Sequence, residues 1–598
     1  MRHHSPPRIV ALLAVLAAAS GCGTTLVDEN GTNLIPVVCS CTAPAGGSPV
    51  CNPDGSCDYV CTNPLLLKCG GECIACTAPA NAVPACVQGA CGFACNSSTR
   101  LCPAAPPSGQ ATCQPESDTS CGPSCAACPG PAAGSGRGVC EPGPAIGAGT
   151  CAVACDAGFH ACGTVGTSCF ADDDVAHCGT SCQVCSTPAN ASPLCAGGAC
   201  AFTCNPGWMR CGGACCRADA VAAGGEFSCA ILVDGRVRCW GANDRGQLGD
   251  GTTTFSPAPV DVKGLPAAPS LAVAVAAGWA HACAVVSPGG QVWCWGDNTT
   301  GELGPAATGP FSSAPVPVTG VAGVAAPPSG AAPPPLAAGG GSAGSPPAPF
   351  GHTCAVAPGT LLCWGANGSG QLGRGSTSPP VATPGAPAVL GAVTAVAAGE
   401  AHTCAVSGGG VSCFGANGSG QIGDGSTTTR PSPVQALAPA SVASYAAAGR
   451  AHSCAVAGPS AHLACWGDNA SGQVNAGSVS TAPQLTPLTV ILGGGFAPNQ
   501  AAAGGAFTCG AESGPAFPPN VKCFGANDRS QLATTASGPT KVDVSLPAAV
   551  QAIVAGGSHG CALLGDGGVL CWGANDRGQT GTGLPTTAVA VPTYVSGR

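Results

Sequence analysis

Seven times between Cys229 and Cys571 the chain repeats one phrase: a cysteine, a short turn, then CWG or CFG, an Asn-containing turn and usually GQLG. The second cysteines of the seven copies are Cys239, Cys294, Cys363, Cys413, Cys465, Cys523 and Cys571. A repeat of about fifty residues points to stacked units or a closed ring, because one such unit cannot bury its own apolar face. Composition agrees. With 93 Gly and 57 Pro in 598 residues, and charged residues at 8%, turns and short strands are expected rather than long helices.

The upstream half of each unit is equally constant, as in AAGEAHTCAVSGGGVSCFGANGSGQIGDG ending at Gly425. The whole pattern resembles the repeats of the regulator of chromosome condensation family, which form a seven-bladed β-propeller. The resemblance covers residues 217–598 and implies an all-β fold there. Eukaryotic members exchange nucleotide on the small GTPase Ran and bind chromatin, which requires a nuclear location and basic contacts. This chain has 19 Lys and Arg without a cluster and a formal net charge of −9, so no nucleic acid partner is expected and the exchange activity is not carried over. Secreted bacterial propellers of similar repeat type include a protein inhibitor of β-lactamases, a rigid ring presenting loops to a protein. Fold alone does not license that target.

The N-terminus reads as an export signal. Arg2 and Arg8 precede the apolar run from Ile9 to Ala19, too short to span a bilayer but suited to a secretory signal over residues 1–21. The sequence ASGC then resembles the lipobox of bacterial lipoproteins, in which Cys22 would be acylated and residues 22–38 would form a tether; Ala19 departs from the usual Leu. Setting Cys22 aside leaves an even 44 of the 45 cysteines for pairing in an oxidising compartment. The expected location is the bacterial envelope or cell surface, with membrane association through Cys22. Secretion is the alternative.

Residues 39–216 hold 30 cysteines in a second repeat array. Those at 69, 73, 76, 86, 91, 95 and 102 recur with the same gaps at 178, 182, 185, 195, 200, 204 and 211. Each unit has too few large apolar residues to bury a core, so disulfides at roughly 2–4 kcal/mol each must substitute, in tandem hairpins. CIAC, CAAC and CQVC could instead be zinc or redox pairs. Export argues against zinc, only His160 and His177 could complement the thiolates, and no helix follows to activate a redox thiol. No metal or cofactor is expected.

The propeller cysteines allow a geometric expectation. Between Cys404 and Cys413 the segment AVSGGGVS folds symmetrically about Gly408-Gly409, pairing Ser407 with Gly410 and placing the two cysteines in a non-hydrogen-bonded pair at ~4.5 Å between Cα atoms. Cys354 and Cys363 repeat this around Pro358-Gly359. Cys229 with Cys239 and Cys561 with Cys571 need three-residue loops containing Asp-Gly, and Cys283 with Cys294, Cys454 with Cys465 and Cys509 with Cys523 close longer turns. Seven bridges within blades are expected.

Other features read as structural. Trp240, Trp295, Trp364, Phe414, Trp466, Phe524 and Trp572 follow the second cysteine and should pack against a neighbouring blade. His281, His352, His402, His452 and His559 precede the first cysteine by two, but Phe227 and Phe507 hold the same place, so the position is read as volume. GSGQLG and GSGQIG, beginning at Gly368 and Gly418, match a dinucleotide fingerprint without its helix. GGSAG, from Gly340 to Gly344, matches a nucleophile elbow, but it falls in a Pro, Ala and Gly-rich insert over residues 321–349 read as a loop with no strand before it.

One surface pattern stands out. The turn after CWGAN or CFGAN reads Asp244-Arg245, Asp528-Arg529 and Asp576-Arg577 in blades 1, 6 and 7, which neighbour one another in a closed ring. These six residues are a candidate arc for a protein partner, since Arg can engage a carboxylate with two parallel hydrogen bonds. The expected function is a non-enzymatic envelope lipoprotein with a protein-binding propeller. The alternatives are an inhibitor of an envelope or secreted enzyme and a glycan-active enzyme.

Overall fold

The computed structural model describes residues 168–598 except 268, 326–333, 342–350, 459, 477, 514–519, 537–540 and 598, together with shorter stretches between residues 22 and 162. The signal segment before Cys22 lies outside the described residues. Two compact units are present, Met1–Cys185 with Cys195–Cys200 and Ser186–Leu194 with Ala201–Arg598.

In the second unit the paired cysteines organise the blades. Cys404 stands opposite Cys413 and Ser407 opposite Gly410, in the register set by the Gly-Gly turn. Each hairpin becomes the central pair of a four-stranded antiparallel sheet whose strands follow chain order. In blade 1 these are Ala218–Ala223, Phe227–Leu232, Val237–Gly241 and Ser256–Asp261. The other six blades span residues 271–317, 336–385, 393–437, 445–489, 500–544 and 550–594. The result is an all-β, seven-bladed propeller; a 3-10 turn at Pro439–Ser441 is the one helical element among the described residues.

The seven hairpin cysteine pairs are at bonding distance, with Cα separations of 4.0 to 4.1 Å. Each bridge packs under an aromatic residue of the next blade. Cys229 and Cys239 share a core cluster with Trp295, and Cys404 and Cys413 share one with Trp466. Cys561 and Cys571 of blade 7 share one with Trp240 of blade 1, which closes the ring. The glycine after each aromatic is required by its backbone. Gly241 has φ +110°, and a Cβ there would lie 2.6 Å from the Glu226 carbonyl oxygen.

Two sequence boundaries move. Residues 321–349 are not one structureless insert, because Leu336–Gly339 is the first strand of blade 3, paired with His352–Ala357. Leu336, Val321 and Val324 are buried in the cluster that holds Trp364. A small-residue strand of the Val-Ala-Ala kind was concealed by the surrounding Pro, Ala and Gly, and GGSAG begins directly after it. Residues 201–216, assigned by spacing to the cysteine array, belong to the propeller's unit. They carry bridges Cys204–Cys215 and Cys211–Cys216. Met209 and Cys211 are buried with Trp240 and Val595, and the Cys204 amide donates to the Gly597 carbonyl. This stapled segment clasps the join between the first and last blades.

The first unit is a series of two-stranded hairpins, including Gly47–Cys51 with Cys57–Cys61 and Gly136–Glu141 with Thr150–Cys155. Its described bridges include Cys128–Cys151, Cys155–Cys169, Cys162–Cys182, Cys178–Cys195 and Cys185–Cys200. Cys140 faces Cys151 across a hairpin, yet Cys151 bonds to Cys128, so facing position does not dictate connectivity here. One of its core clusters consists of Cys178, Cys185 and Cys195 with Val175 and Cys200 against them, which is crosslinking standing in for apolar burial.

Candidate functional site

Strand direction puts two sets of loops on one face of the propeller: the turn between the first and second strands of each blade, near the axis, and the longer Asn-containing loop between the third and fourth, farther out. The outer loop is shaped by its asparagine. Asn243 is fully buried, accepts from the Leu248 amide and donates to the Thr252 and Thr254 carbonyls. The glutamine of GQLG accepts from a backbone amide two residues earlier, as Gln247 does from Arg245. These contacts hold the intervening Asp-Arg or Gly-Ser pair outward.

All six arc residues are exposed. Arg577 reaches from blade 7 to blade 1, with Nη1 3.8 Å from Asp244 and Nε 3.9 Å from Glu226. Arg245 reaches onward to Asp297 of blade 2 at 3.9 Å. Asp576 and Asp528 accept from the amide groups of Gln579 and Gln531. Asp528 and Arg529 form no ion pair among the described residues. The structure therefore joins the blade 7, 1 and 2 members into one charged chain, while the blade 6 pair makes no ion pair with it among the described residues and only the charge of Arg529 reaches Glu226. Glu226, which sequence reasoning missed, sits inside this chain; burial raises its pKa, opposed by Arg577.

At the axis the face is nearly bare. Its inner turns present Gly225, Trp279, Gly340, Glu400, Arg450, Gly505 and Gly557. Trp279 lies across the mouth: a Cβ on Gly225 would come within 2.8 Å of its ring and one on Gly557 within 3.3 Å. Arg450 is 59% exposed and stands 3.8 Å from Glu400, which is 15% exposed and whose pKa is raised by burial. A groove of about 610 Å³ runs from Trp279 and Arg450 out between blades 5 and 6 to Asp528. Behind the mouth the axial cavity, about 250 Å³, is walled largely by alanine and valine from the first strands.

The histidines are buried, but volume is not their whole role. His559 Nε2 lies 2.8 Å from Ser228 Oγ, and His281, His352, His402 and His452 make the same contact with Thr353, Thr403, Ser453 and Thr508 of the next blade. Each hydroxyl donates to the backbone carbonyl of the preceding blade's Gln or Glu, as Thr403 does to Gln371, so the imidazole is the donor to the hydroxyl. Phe227 and Phe507 face blades that carry Ala282 and Gly560 at the hydroxyl position. His thus occurs where its partner does. Comparing each histidine with the residue beside the next blade's cysteine would have revealed this.

One buried acid breaks the repeat. Glu302 stands where the other six blades have Gln and accepts from the Thr300 amide and hydroxyl at 2.7 Å each. Burial, reinforced by Asp297, pushes its pKa up to about 8.

Clusters of potential metal ligands at Cys162, Cys178 and Cys211 have their cysteines tied up in disulfides, and a bonded sulfur is no thiolate ligand.

The geometry defines a seven-bladed β-propeller, and parts of the chain match a known repeat family. Residues 218–247, 272–302 and 550–579, and again 234–285, 358–406 and 408–456, match models of the regulator of chromosome condensation (RCC1) repeat. The chain is 38% identical over 84 residues to the human E3 ubiquitin-protein ligase HERC2, 14% of this chain and 2% of that protein. It is 30% identical over 171 residues to the probable E3 ubiquitin-protein ligase HERC6 of Homo sapiens, 27% of this chain and 14% of that protein. The chain thus spans a small part of these relatives. Among solved structures, Prp20p of Saccharomyces cerevisiae, studied for its binding to Gsp1p and histones, is 18% identical with a TM-score of 0.50 over 64% of this chain and 87% of that one. Human WBSCR16 is 20% identical, TM-score 0.49, over 60% and 94%.

Proposed function

We propose that this chain is an exported protein, lipid-anchored at Cys22, whose propeller binds a protein partner through the loop face and performs no catalysis. The observation that carries the reading is the charged chain Arg577, Asp244, Glu226, Arg245 and Asp297 across three consecutive blades, with Asp244, Arg245 and Arg577 exposed and Asp297 buried, on a protein with few charges elsewhere. Long contacts of 3.8 to 3.9 Å leave these arginines able to exchange an internal carboxylate for one on a partner. The Ser–His pairs do not favour an enzyme, since both members are fully buried and the hydroxyl proton already points at a carbonyl. Prp20p, with its Gsp1p and histone binding, is a precedent for a propeller used toward proteins.

The test is affinity capture from native envelope extract with the oxidised full chain beside a variant carrying Ala at 244, 245, 528, 529, 576 and 577. One partner captured by the wild type and lost in the folded variant supports the reading. Equal capture by both moves the site off the arc, and no capture by either removes the binding role.

A further inference from the structure

The groove between blades 5 and 6 is built differently from the arc. Its lining includes Gly505, Gly525 and Gly557 with Ala506 and Ala526, small residues that leave room for a main chain between the longer side chains at its ends. Its volume of about 610 Å³ is within the range, roughly 300–1,000 Å³, of sites that enclose a ligand. Its two ends carry opposite charge: Arg450 at the axis and Asp528 at the rim. Trp279 stands beside Arg450 with its ring already held against Gly225 and Gly557, so little side-chain entropy remains to be lost when a ligand covers it. Asp528 forms no ion pair among the described residues, and the Arg450 guanidinium is mostly exposed.

We propose that this groove binds an extended peptide segment with an acidic group toward the axis, against Arg450, and a basic group toward the rim, against Asp528. The inference rests on the protein-binding reading and names the chemistry of the segment recognised. A purely acidic ligand would meet Asp528 and a net charge of −9; a purely basic one would meet Arg450. A dipolar segment satisfies both ends, and the small glycine and alanine residues of the lining leave room for its backbone.

The test uses the oxidised full chain and capped peptides bearing one Asp and one Lys separated by about three to five small residues, with matched peptides carrying Asp alone, Lys alone or neither, and a panel of chito-oligosaccharides. Binding is read by titration calorimetry at low and moderate salt. The expected result is saturable binding of the Asp/Lys peptides, about tenfold tighter than either singly charged set. Arg450→Ala and Asp528→Ala should each reduce it to the singly charged level, and Arg450→Lys should retain part of the gain. Equal affinity for all peptides, indifference to both alanine variants, or saturation by the oligosaccharides alone would overturn the proposal. A protein captured through the arc and retained by Arg450→Ala would overturn it too, while leaving the protein-binding reading in place.

Discussion

Across the ring closure, His559 of blade 7 donates to the Ser228 hydroxyl of blade 1 at 2.8 Å, and that hydroxyl donates to the Gln579 carbonyl at 3.1 Å. The same relay recurs at five of the seven junctions and is replaced at the other two by Phe facing Ala or Gly. Such matching implies measurable coupling between residues from 51 to 331 positions apart in sequence.

At the blade 1 to 2 junction, Phe227→His alone should destabilise by about 1–3 kcal/mol, because the imidazole is buried opposite Ala282 without an acceptor. Adding Ala282→Ser should recover part of that loss. Denaturant unfolding of the four species under oxidising conditions yields the coupling, expected at about 1 kcal/mol. Additive effects would contradict the relay.

The indole N–H groups double the relay. Trp295 donates to the Gln247 carbonyl and Trp572 to that of Gln531, at the two junctions without a hydroxyl, whereas Trp466 shares the Gln421 carbonyl with Ser453. The two natural phenylalanines, Phe414 and Phe524, occur where Thr403 and Thr508 already serve the carbonyl. Trp295→Phe and Trp572→Phe should therefore cost about 1 kcal/mol more than Trp466→Phe. Equal losses in thermal or denaturant unfolding would show that packing alone decides the position.

Burial lowers the pKa of His281 and His402 to about 3 and of His452 and His559 to about 4. Unfolded histidines take up protons near pH 6.5 while these do not, so stability holds above that pH and falls as pH drops toward 4, by about 1.4 kcal/mol per unit for each histidine. Replacing His402 with Phe should remove roughly one proton from this slope. A melting temperature flat between pH 6.5 and 4.5 would contradict the buried neutral state.

Glu302 works in the opposite sense. Its folded pKa of about 8 lies above the unfolded carboxylate value, so its contribution is favourable at low pH and is lost as pH rises through the interval up to 8. Glu302→Gln, which restores the residue of the other blades, should raise stability at pH 8 by a few kcal/mol and much less at pH 5. Equal effects at both pH values would rule out a buried proton on this side chain.

The clasp predicts a local effect. Cys204→Ser with Cys215→Ser should lower stability by about 2–4 kcal/mol and speed amide exchange first in the strands of blades 1 and 7 that meet at Trp240. Uniform exchange across all seven blades would deny the segment a role in closure.

Much of the architecture was legible because the hairpins are local: symmetric spacing about Gly408-Gly409 sets the register of Cys404 and Cys413 with no knowledge of the rest of the ring. The first strand of blade 3 was not, since Leu336-Ala337-Ala338-Gly339 resembles the low-complexity sequence around it and becomes a strand only by pairing with His352–Ala357. Exposure of Asp244 and Arg577 followed from turn chemistry, but the reach of Arg577 to Asp244 and Glu226 depends on the interblade rotation, which no single repeat encodes. The histidine relay was readable in principle, through residue pairs in successive repeats.

Every blade is one uninterrupted stretch of chain, crosslinked within itself, and no strand is exchanged between blades 7 and 1. The protein could therefore be circularly permuted: joining its propeller ends and opening new ones in any interblade link would leave each sheet whole. Among the described residues the stapled segment at residues 201–216 marks the seam between blades 7 and 1, and a permuted ring would reveal how far the location of that seam is a choice of gene order rather than of physics.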